Sequence, residues 1–203
     1  MTTAIAYPPV AGLPKPHHVR IVSIPDRRCL AIDGESEHGG FEFQVAMSAL
    51  YRTAYALHFL LRERGIDARI GPSEALWTRR DGAEAWAVGE LAFEPAAWRW
   101  TLLLSVPVEA SDDDIASALA IARRKHPSPA LTRLYVMTLR EGITVEALHV
   151  GPYDTEPETI AKMHRLAIDA GLRPNGPHHE IYLGDPRRTD PQQLRTVLRQ
   201  PVH

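Results

Sequence analysis

The chain contains a single cysteine, Cys29, among its 203 residues. One cysteine excludes an internal disulfide framework and a cysteine-cluster zinc site, and it is typical of a reducing compartment. We therefore expect a cytoplasmic protein. Cys29 lies in an extended segment without an evident base partner, so we predict a buried structural thiol and not a nucleophile.

Long apolar runs and a surplus of one charge are also missing. No stretch approaches the roughly 18 consecutive apolar residues of a membrane span, and the first residues lack the pattern of a secretory signal. The 23 basic and 25 acidic residues give a formal net charge of −2. Such a balance argues against a nucleic-acid binder that works through bulk charge. We expect neither a membrane nor a nucleic acid as a direct partner.

The motifs of several enzyme classes are absent. The chain has no GxxxxGKS/T or GxGxxG nucleotide motif and no GxSxG of a serine hydrolase. Histidines are frequent but not in HExxH spacing, and the adjacent His178 and His179 would point to opposite faces of a strand. We therefore expect no metal and no cofactor.

Three segments have the pattern of helices. Apolar residues recur every three or four positions over about 42–64. Ser111 would cap a second helix over about 112–125, with acidic residues in its first turn and basic residues in its last. A capping box of Thr155 and Glu158 predicts a third helix that ends near residue 169.

Segments rich in β-formers and separated by turn residues predict strands. They lie at 19–34 with a break near Pro25, and at 66–71, 74–80, 84–92, 98–106, 131–139, 143–150, 177–184 and 194–200. In the 98–106 strand the two-residue alternation places Trp98, Trp100, Leu102 and Leu104 on one face.

The predicted elements follow the same order twice. An extended arm over 1–17 precedes a single domain over 18–203, made of a first repeat at about 19–108, a connecting helix at about 111–125 and a second repeat at about 131–202. Each repeat reads as a βαββ unit whose sheet cannot cover its own apolar face, which is a reason to pair. The fold class is therefore α+β, with two repeats related by a pseudo-twofold. The pattern alone leaves open whether the short segments match by duplication or by coincidence.

A carboxylate and a phenol share one face of the 177–184 strand. His178, Glu180 and Tyr182 alternate along it, so their side chains point the same way and can reach one bound ligand. Shielding from water would raise the pKa of Glu180 towards that of a general base, or would leave a charge for a cationic ligand to match. A structural carboxylate bonded to backbone or arginine is the alternative.

Glu74 occupies the matching place in the first repeat. Two carboxylates that face one groove repel each other, so one of them tends to keep a proton and the pair divides into an acid and a base. A solvated residue at the end of a strand is the alternative.

Aromatic side chains would hold flat or cationic ligands by stacking. The candidates are Tyr51, Tyr55, Trp77, Trp98, Trp100 and Tyr135, with Trp100 and Tyr55 preferred and Tyr153 taken as mainly structural.

The strings HVGPYDTEPETI (149–160) and GPHHEIYLGDPRRTDPQQLRTVLRQPV (176–202) carry a family resemblance. Together with ALYRTAYALHFLL (49–61) and WRWTLLLSVP (98–107), they resemble the stand-alone members of the GyrI-like small-molecule-binding family over about 18–202. One departure is SEALWTR, where Thr78 stands in place of a usual second aromatic residue.

The resemblance implies a duplicated βαββ fold of the SHS2 type with antiparallel sheets and a central ligand groove. It implies flat, hydrophobic or cationic drug-like ligands, bound by the aromatic residues above with Glu74 and His178. In multidrug-responsive regulators this effector-binding module is fused to a DNA-binding domain, which we expect this chain to lack. Some stand-alone members hydrolyse cyclopropane-bearing genotoxins, which would make Glu180 the water-activating base and Tyr182 its catalytic partner.

Three functions stay open on the sequence. One is a hydrolase, the second is a non-catalytic module that sequesters or senses drugs, and the third is an interaction protein whose groove holds a peptide. A groove for a peptide would have few tryptophans, so the aromatic residues of this chain disfavour the third. A monomer and a homodimer are equally compatible with the sequence.

Overall fold

The computed structural model describes residues 12–36, 38–80 and 98–203. The strands in this part of the chain are β1 Val19–Ile24, β2 Arg27–Gly34, β3 Ser73–Arg79, β4 Trp98–Ser105, β5 Tyr135–Leu139, β6 Gly142–Val150, β7 His178–Tyr182 and β8 Arg195–Pro201. The helices are α1 Phe41–Glu63, α2 Asp112–Lys125, α3 Ala130–Arg133 and α4 Glu156–Asp169. The strand predicted at 84–92 and most of the predicted arm lie outside the described residues.

The chain divides into two compact units. We call them the α4 unit, whose described residues are 12–26 and 140–203, and the α1 unit, whose described residues are 27–36, 38–80 and 98–139. All strand pairs within each unit are antiparallel, so the predicted α+β class is confirmed.

The sheet of the α1 unit has the strand order β3-β4-β2-β5. Its β3 and β4 strands place Trp77 opposite Trp100, and Phe43 of α1 packs with its ring 5.3 Å from that of Trp100. The predicted one-face alternation of β4 is confirmed at its start, where Trp98 and Trp100 are buried and Arg99 is exposed. Further along, both faces of β4 are covered.

Gly34 of β2 makes room for Trp100. A Cβ atom built on Gly34 would lie 2.2 Å from the indole ring, which is fully buried and donates its Nε1–H to the carbonyl of Ser36 at 3.0 Å.

We expect Gly34→Ala to lower the free energy of unfolding by about 1–3 kcal/mol, because the atoms around an overpacked side chain must shift. Urea unfolding measures the change. Gly71→Ala is the control, since its Cβ would meet nothing within 4 Å, and equal losses in the two variants would contradict the prediction.

The sheet of the α4 unit has the order β1-β6-β8-β7. Helix α4 packs against β1 and β6. Ile160, Met163 and Ala167 of the helix form one core with buried side chains of β6 and β8. The period-3.6 prediction is thus confirmed for these three residues, whereas Ala170, predicted on the same face, is exposed.

The strands of the two units share one connectivity. In the α1 unit β4 lies between β3 and β2, and in the α4 unit β8 lies between β7 and β6. The sequence β2-α1-β3-β4 therefore has the same arrangement as β6-α4-β7-β8. A fourth strand completes each sheet: β5 pairs with β2, and β1 pairs with β6 although β2 follows it directly along the chain. The pseudo-twofold, the groove between repeats and the domain boundaries stay predictions.

Of the two predicted capping boxes at helix N-termini, one is confirmed and one is wrong. Ser111 and Asp114 form a reciprocal capping box at α2, as predicted. Thr155 forms none at α4, because it ends a 3-10 turn with helical backbone angles and its hydroxyl instead donates to the carbonyl of Pro152 at 2.8 Å. A capping residue needs an extended backbone to reach the third residue of the helix.

Two predicted strand segments are also wrong. The segment 66–71 contains no strand, and its backbone is held by local contacts such as the bond from the Ala68 N–H to the Ile66 carbonyl at 3.1 Å. Residues 131–133 belong to the short helix α3, which the Ser128 hydroxyl begins by accepting a bond from the Ala130 N–H at 3.3 Å. A single turn of this kind leaves no period in the sequence to detect.

Candidate functional site

The predicted shared face of β7 is present. The hydroxyl of Tyr182 donates to the Glu180 carboxylate at 2.6 Å, and the Nε2 atom of His178 lies 3.9 Å from the same carboxylate. Glu180 pairs in register with Leu198 of β8, which belongs to the core packed by α4. Cross-strand partners share a face, so these three side chains lie on the side of the sheet that α4 occupies.

The Glu180 carboxylate is shielded but not sealed. Its side chain is 13% exposed, whereas Tyr182 is 8% exposed. A charge-assisted O–H···O bond of this length is strong, and its donor stabilises the ionised form of the carboxylate. The arrangement therefore keeps a partly accessible carboxylate next to a phenol.

Glu156 is the residue that the sequence analysis missed. It is the first residue of α4 and is only 5% exposed. Burial, and secondly the charge of Glu180, raise its pKa well above the ordinary value. The neighbouring hydroxyl of Thr196 opposes this rise in the pKa, and it is the smallest of the three causes. Its surroundings therefore favour the protonated form of the Glu156 carboxyl.

Tyr153 lies in the turn before α4 and contacts Tyr182. Its ring packs edge-on against Tyr182, with ring centroids 6.0 Å apart. Burial, followed by the carboxyl groups of Glu156, Glu180 and Asp185, which are ionised at the alkaline pH where a tyrosine titrates, raises the pKa of Tyr153 to about 12. The residue thus supplies a neutral aromatic wall. We call Tyr153, Glu156, His164, His178, Glu180 and Tyr182 the Glu180 cluster.

Both histidines of the cluster have lowered pKa values, which keeps them uncharged at neutral pH. Burial lowers the pKa of His178 to about 3, with smaller contributions from His164 and His179, and burial alone lowers that of His164 to about 4. The His178 Nε2 atom has no hydrogen-bond partner within the described part of the chain. Neutral imidazoles add polarity without adding positive charge.

The neutral histidines predict an acid-sensitive fold. A folded-state pKa below the unfolded one means that the unfolded chain binds the proton first, so stability is intact above about pH 6.5 and is lost as the pH falls towards 3. We expect His178→Gln to show a shallower loss of melting temperature between pH 6.5 and 4 than the wild type. The exposed His126→Gln is the control. Parallel pH profiles for wild type and His178→Gln would contradict the prediction.

The opposite face of the same sheet carries a buried ion network. The Glu146 carboxylate accepts bonds from Arg20 at 2.8 Å and from Arg199 at 2.9 Å. Arg199 also reaches Glu141 at 3.3 Å, and Nδ1 of His179 lies 2.8 Å from Glu141. Since every charge in this network is matched by another, we interpret it as structural. His179 thereby lies on the opposite face from Glu180, as predicted.

Glu74 is held in an ion pair within the α1 unit. Arg27 donates to both carboxylate oxygens, to Oε1 at 2.7 Å, and the Ser105 hydroxyl donates at 3.3 Å. The Glu74 side chain is 4% exposed. The alternative of a solvated strand-end residue is therefore wrong. A ligand-binding role for Glu74 stays a prediction, and any such ligand would meet a charge that is already neutralised.

The predicted aromatic residues fall into two groups. Trp77, Trp98 and Trp100 are buried, whereas Tyr55 is exposed on α1 and Tyr51 is half-buried beside it, with ring centroids 6.4 Å apart. Tyr135 is partly exposed, and its hydroxyl donates to Asp33 at 3.0 Å. Their roles as ligand contacts stay predictions.

A cleft of about 760 Å³ opens on the α1 unit. Trp100 and Tyr135 line it, together with Asp33, Glu42, Arg99 and Arg133. Arg133 pairs with Glu42 at 2.8 Å, and Arg99 pairs with Glu35 at 2.8 Å. Two of the six predicted aromatic residues thus meet in one concave surface.

Two further searches were limited to the described ranges. Within 12–36, 38–80 and 98–203, no group of three or more His, Cys, Asp or Glu side chains is placed to hold a metal ion. None of the helices described there is long and apolar enough to cross a membrane. Cys29 is buried, as predicted.

The chain has an α+β fold in which antiparallel strands carry a helix on one side. Solved structures share it. An uncharacterized conserved protein from Listeria innocua is 30% identical, with 93% of both chains covered and a TM-score of 0.82. A hydrolase from the same organism is 29% identical over 93% of both chains, with a TM-score of 0.77. The EcmrR C-terminal domain, 10% identical over 92% of this chain and 97% of its own, shares the fold with a TM-score of 0.56.

Residues 107–203 match the family model of the GyrI-like small molecule binding domain. No curated protein matches the chain. The chain belongs to the GyrI-like small-molecule-binding family, and the resemblance drawn from its sequence is confirmed.

Proposed function

We propose that the chain is a hydrolase of flat, hydrophobic or cationic compounds, cyclopropane-bearing genotoxins among them, with Glu180 as the water-activating base. The observation that carries the proposal is the bond from the Tyr182 hydroxyl to the Glu180 carboxylate at 2.6 Å, in a cluster that is largely shielded from water. The relative from Listeria innocua that is described as a hydrolase supports it.

The proton accounting of the reaction follows from that hydrogen bond. Water attacks a ring carbon, gives a proton to Glu180 and breaks a ring C–C bond, whose electron pair moves into the conjugated carbonyl. Once Glu180 is protonated, it accepts only a weak hydrogen bond from the Tyr182 hydroxyl. Tyr182 can then donate its proton to the developing phenolate oxygen. Glu180 then returns its proton to Tyr182 along their bond. Water is consumed, and both groups recover their starting state.

Shielding is what makes the carboxylate useful. A carboxylate in bulk water is a weak base that is already solvated, whereas one that is largely shielded from water accepts a proton more readily. Tyr153 and Tyr182 present ring surface next to it, and ring surface is what a flat substrate needs.

A non-catalytic drug-binding module is the second candidate. It is favoured by the Tyr182 hydroxyl, whose proton is engaged by the Glu180 carboxylate. In this case the ionised carboxylate would attract a cation and the rings would stack on it, and no bond would break.

Product formation separates the two candidates. We expect a synthetic spirocyclopropyl dienone, incubated with the protein at neutral pH, to gain one water and give a phenol that is seen by ultraviolet absorbance and mass spectrometry. Binding of the compound without acceleration over buffer would reject the hydrolase and leave the binding module. Absence of both binding and turnover would reject both.

A further inference from the structure

We propose that Glu156 is the second carboxyl of this site: it keeps a proton while Glu180 stays ionised, so that the pair presents one negative charge to a ligand. The inference rests on the proposed function, because the charge that Glu156 controls is the charge at Glu180. It adds a residue that determines which ligands the site accepts and at which pH.

The geometry brings Glu156 to the cluster from a different element. Residue 156 begins α4, and three residues earlier the Tyr153 ring packs on Tyr182. Tyr182 pairs in register with Thr196 of β8. The start of α4, β7 and β8 therefore meet at one place, and the Glu156 side chain is buried there.

Glu156 and Thr196 each bring a buried oxygen to this place. Oε1 of Glu156 and Oγ1 of Thr196 make no hydrogen bond to any described residue, although both residues are at least nine-tenths buried. A buried polar atom without a partner is costly, and it is rare unless it serves a ligand, a water or a proton. The orphaned oxygen of Glu156 is thus an independent sign that this carboxyl serves more than the fold.

The proton belongs on Glu156 and not on Glu180. Two carboxylates in a shielded site cannot both ionise cheaply. Glu180 is the more exposed of the two and accepts the Tyr182 hydroxyl, which stabilises its charge. Glu156 is buried more deeply, and burial and then Glu180 raise its pKa. The helix N-terminus favours a charged Glu156, but this effect is small beside desolvation.

The other titratable groups of the cluster do not change this assignment. His178 and His164 are neutral because burial lowers their pKa values, and Tyr153 is neutral because burial raises its own. Asp185, in the loop after β7, is held ionised by Arg187. The pair Glu156 and Glu180 therefore sets how the charge of the cluster changes with pH.

Thermal unfolding at several pH values tests the proton on Glu156. A carboxyl with a raised folded pKa contributes stability that is complete below its unfolded pKa and is lost as the pH rises through the folded pKa. Glu156→Gln mimics the protonated acid and cannot ionise. We expect equal melting temperatures at pH 4 and a variant that melts roughly 3 °C or more above wild type at pH 9.

Glu158→Gln is the matched control, because it lies on the same turn of α4 and is exposed. It should follow the wild-type curve at every pH. A difference between Glu156→Gln and wild type that is the same at pH 4 and pH 9 would overturn the inference, since it would show a structural contact with no proton attached.

Ethidium, a flat monocation, tests the consequence for ligands. At pH 6 we expect Glu156→Gln to bind it as well as wild type does, since both carry one charge, whereas Glu180→Gln loses the charge. Above the folded-state pKa of Glu156 the wild type gains a second charge, and at pH 9 we expect it to bind ethidium at least about fivefold more tightly than Glu156→Gln does. Equal affinities of those two proteins at pH 9 would overturn the consequence.

The two measurements also separate the failure of this inference from that of the proposed function. Should Glu180→Gln bind ethidium as wild type does, or wild type not bind it, cation binding at Glu180 is rejected while the melting curves still decide the state of Glu156. Should the melting curves stay parallel, the inference about Glu156 is rejected whatever ethidium does.

Discussion

Glu180→Gln is expected to lower the turnover of a spirocyclopropyl dienone by about 10²- to 10⁴-fold, the usual contribution of a positioned general base. Glutamine keeps the size of the side chain and can still accept the Tyr182 hydroxyl bond. It cannot take a proton from water at neutral pH, so the attacking water stays neutral and weak. The measurement is single-turnover kinetics at saturating substrate.

The controls separate lost chemistry from lost folding. Glu63→Gln removes an exposed carboxylate near the end of α1 and should leave turnover unchanged. Tyr182→Phe should also lower turnover, because the carbonyl loses its proton donor, while the melting temperature reports any structural damage. Equal rates for wild type and Glu180→Gln would remove Glu180 from the mechanism, and a loss in Glu63→Gln of similar size would show that the assay reports general instability.

The second large effect is on stability, at Glu146. We expect Glu146→Gln to lower the free energy of unfolding by about 3 kcal/mol, because a buried ion pair that loses one partner leaves the other charge uncompensated. Glu146 is fully buried and contacts Arg20 and Arg199. Both arginines keep some access to water, with side chains 24% and 12% exposed, which places the loss at the lower end of the range for buried pairs.

Urea unfolding with a matched exposed pair checks that value. Glu42→Gln breaks the ion pair with Arg133, whose side chains are 38% and 44% exposed, and should cost less than about 1 kcal/mol. Should the Glu146 and Glu42 variants cost the same, the buried network would not stabilise the α4 unit. The Glu146 variant should keep its ligand affinity, since the network lies on the opposite face of the sheet from Glu180.

The family and much of the local structure could be predicted from the sequence. The two-residue period of a strand places His178, Glu180 and Tyr182 on one face. This alternation follows from the local backbone dihedral angles alone, so it can be predicted without the tertiary structure. The capping box at Ser111 is similarly local, since it joins residues three positions apart. The wrong prediction at Thr155 shows the limit, because a preceding 3-10 turn altered the backbone angles that the motif requires.

The partners of the carboxylates depended on distant parts of the chain. Glu74 meets Arg27 across 47 positions, and a sequence pattern contains no information on that contact. Glu156 reads as an ordinary acid in the first turn of a helix, where solvent usually surrounds it. The packing of the α4 start on β7 and β8 buried it instead.

By itself, then, the sequence determined the periods, one helix cap, the fold class and the face on which Glu180 lies, because these follow from neighbours along the chain. Only the tertiary structure decided that β1 pairs with β6, that Glu74 is neutralised and that Glu156 is a buried acid near Glu180. Those outcomes depend on which elements meet in space. Burial and electrostatic interactions depend on the distance between groups in space, and the separation of two residues along the chain does not determine that distance.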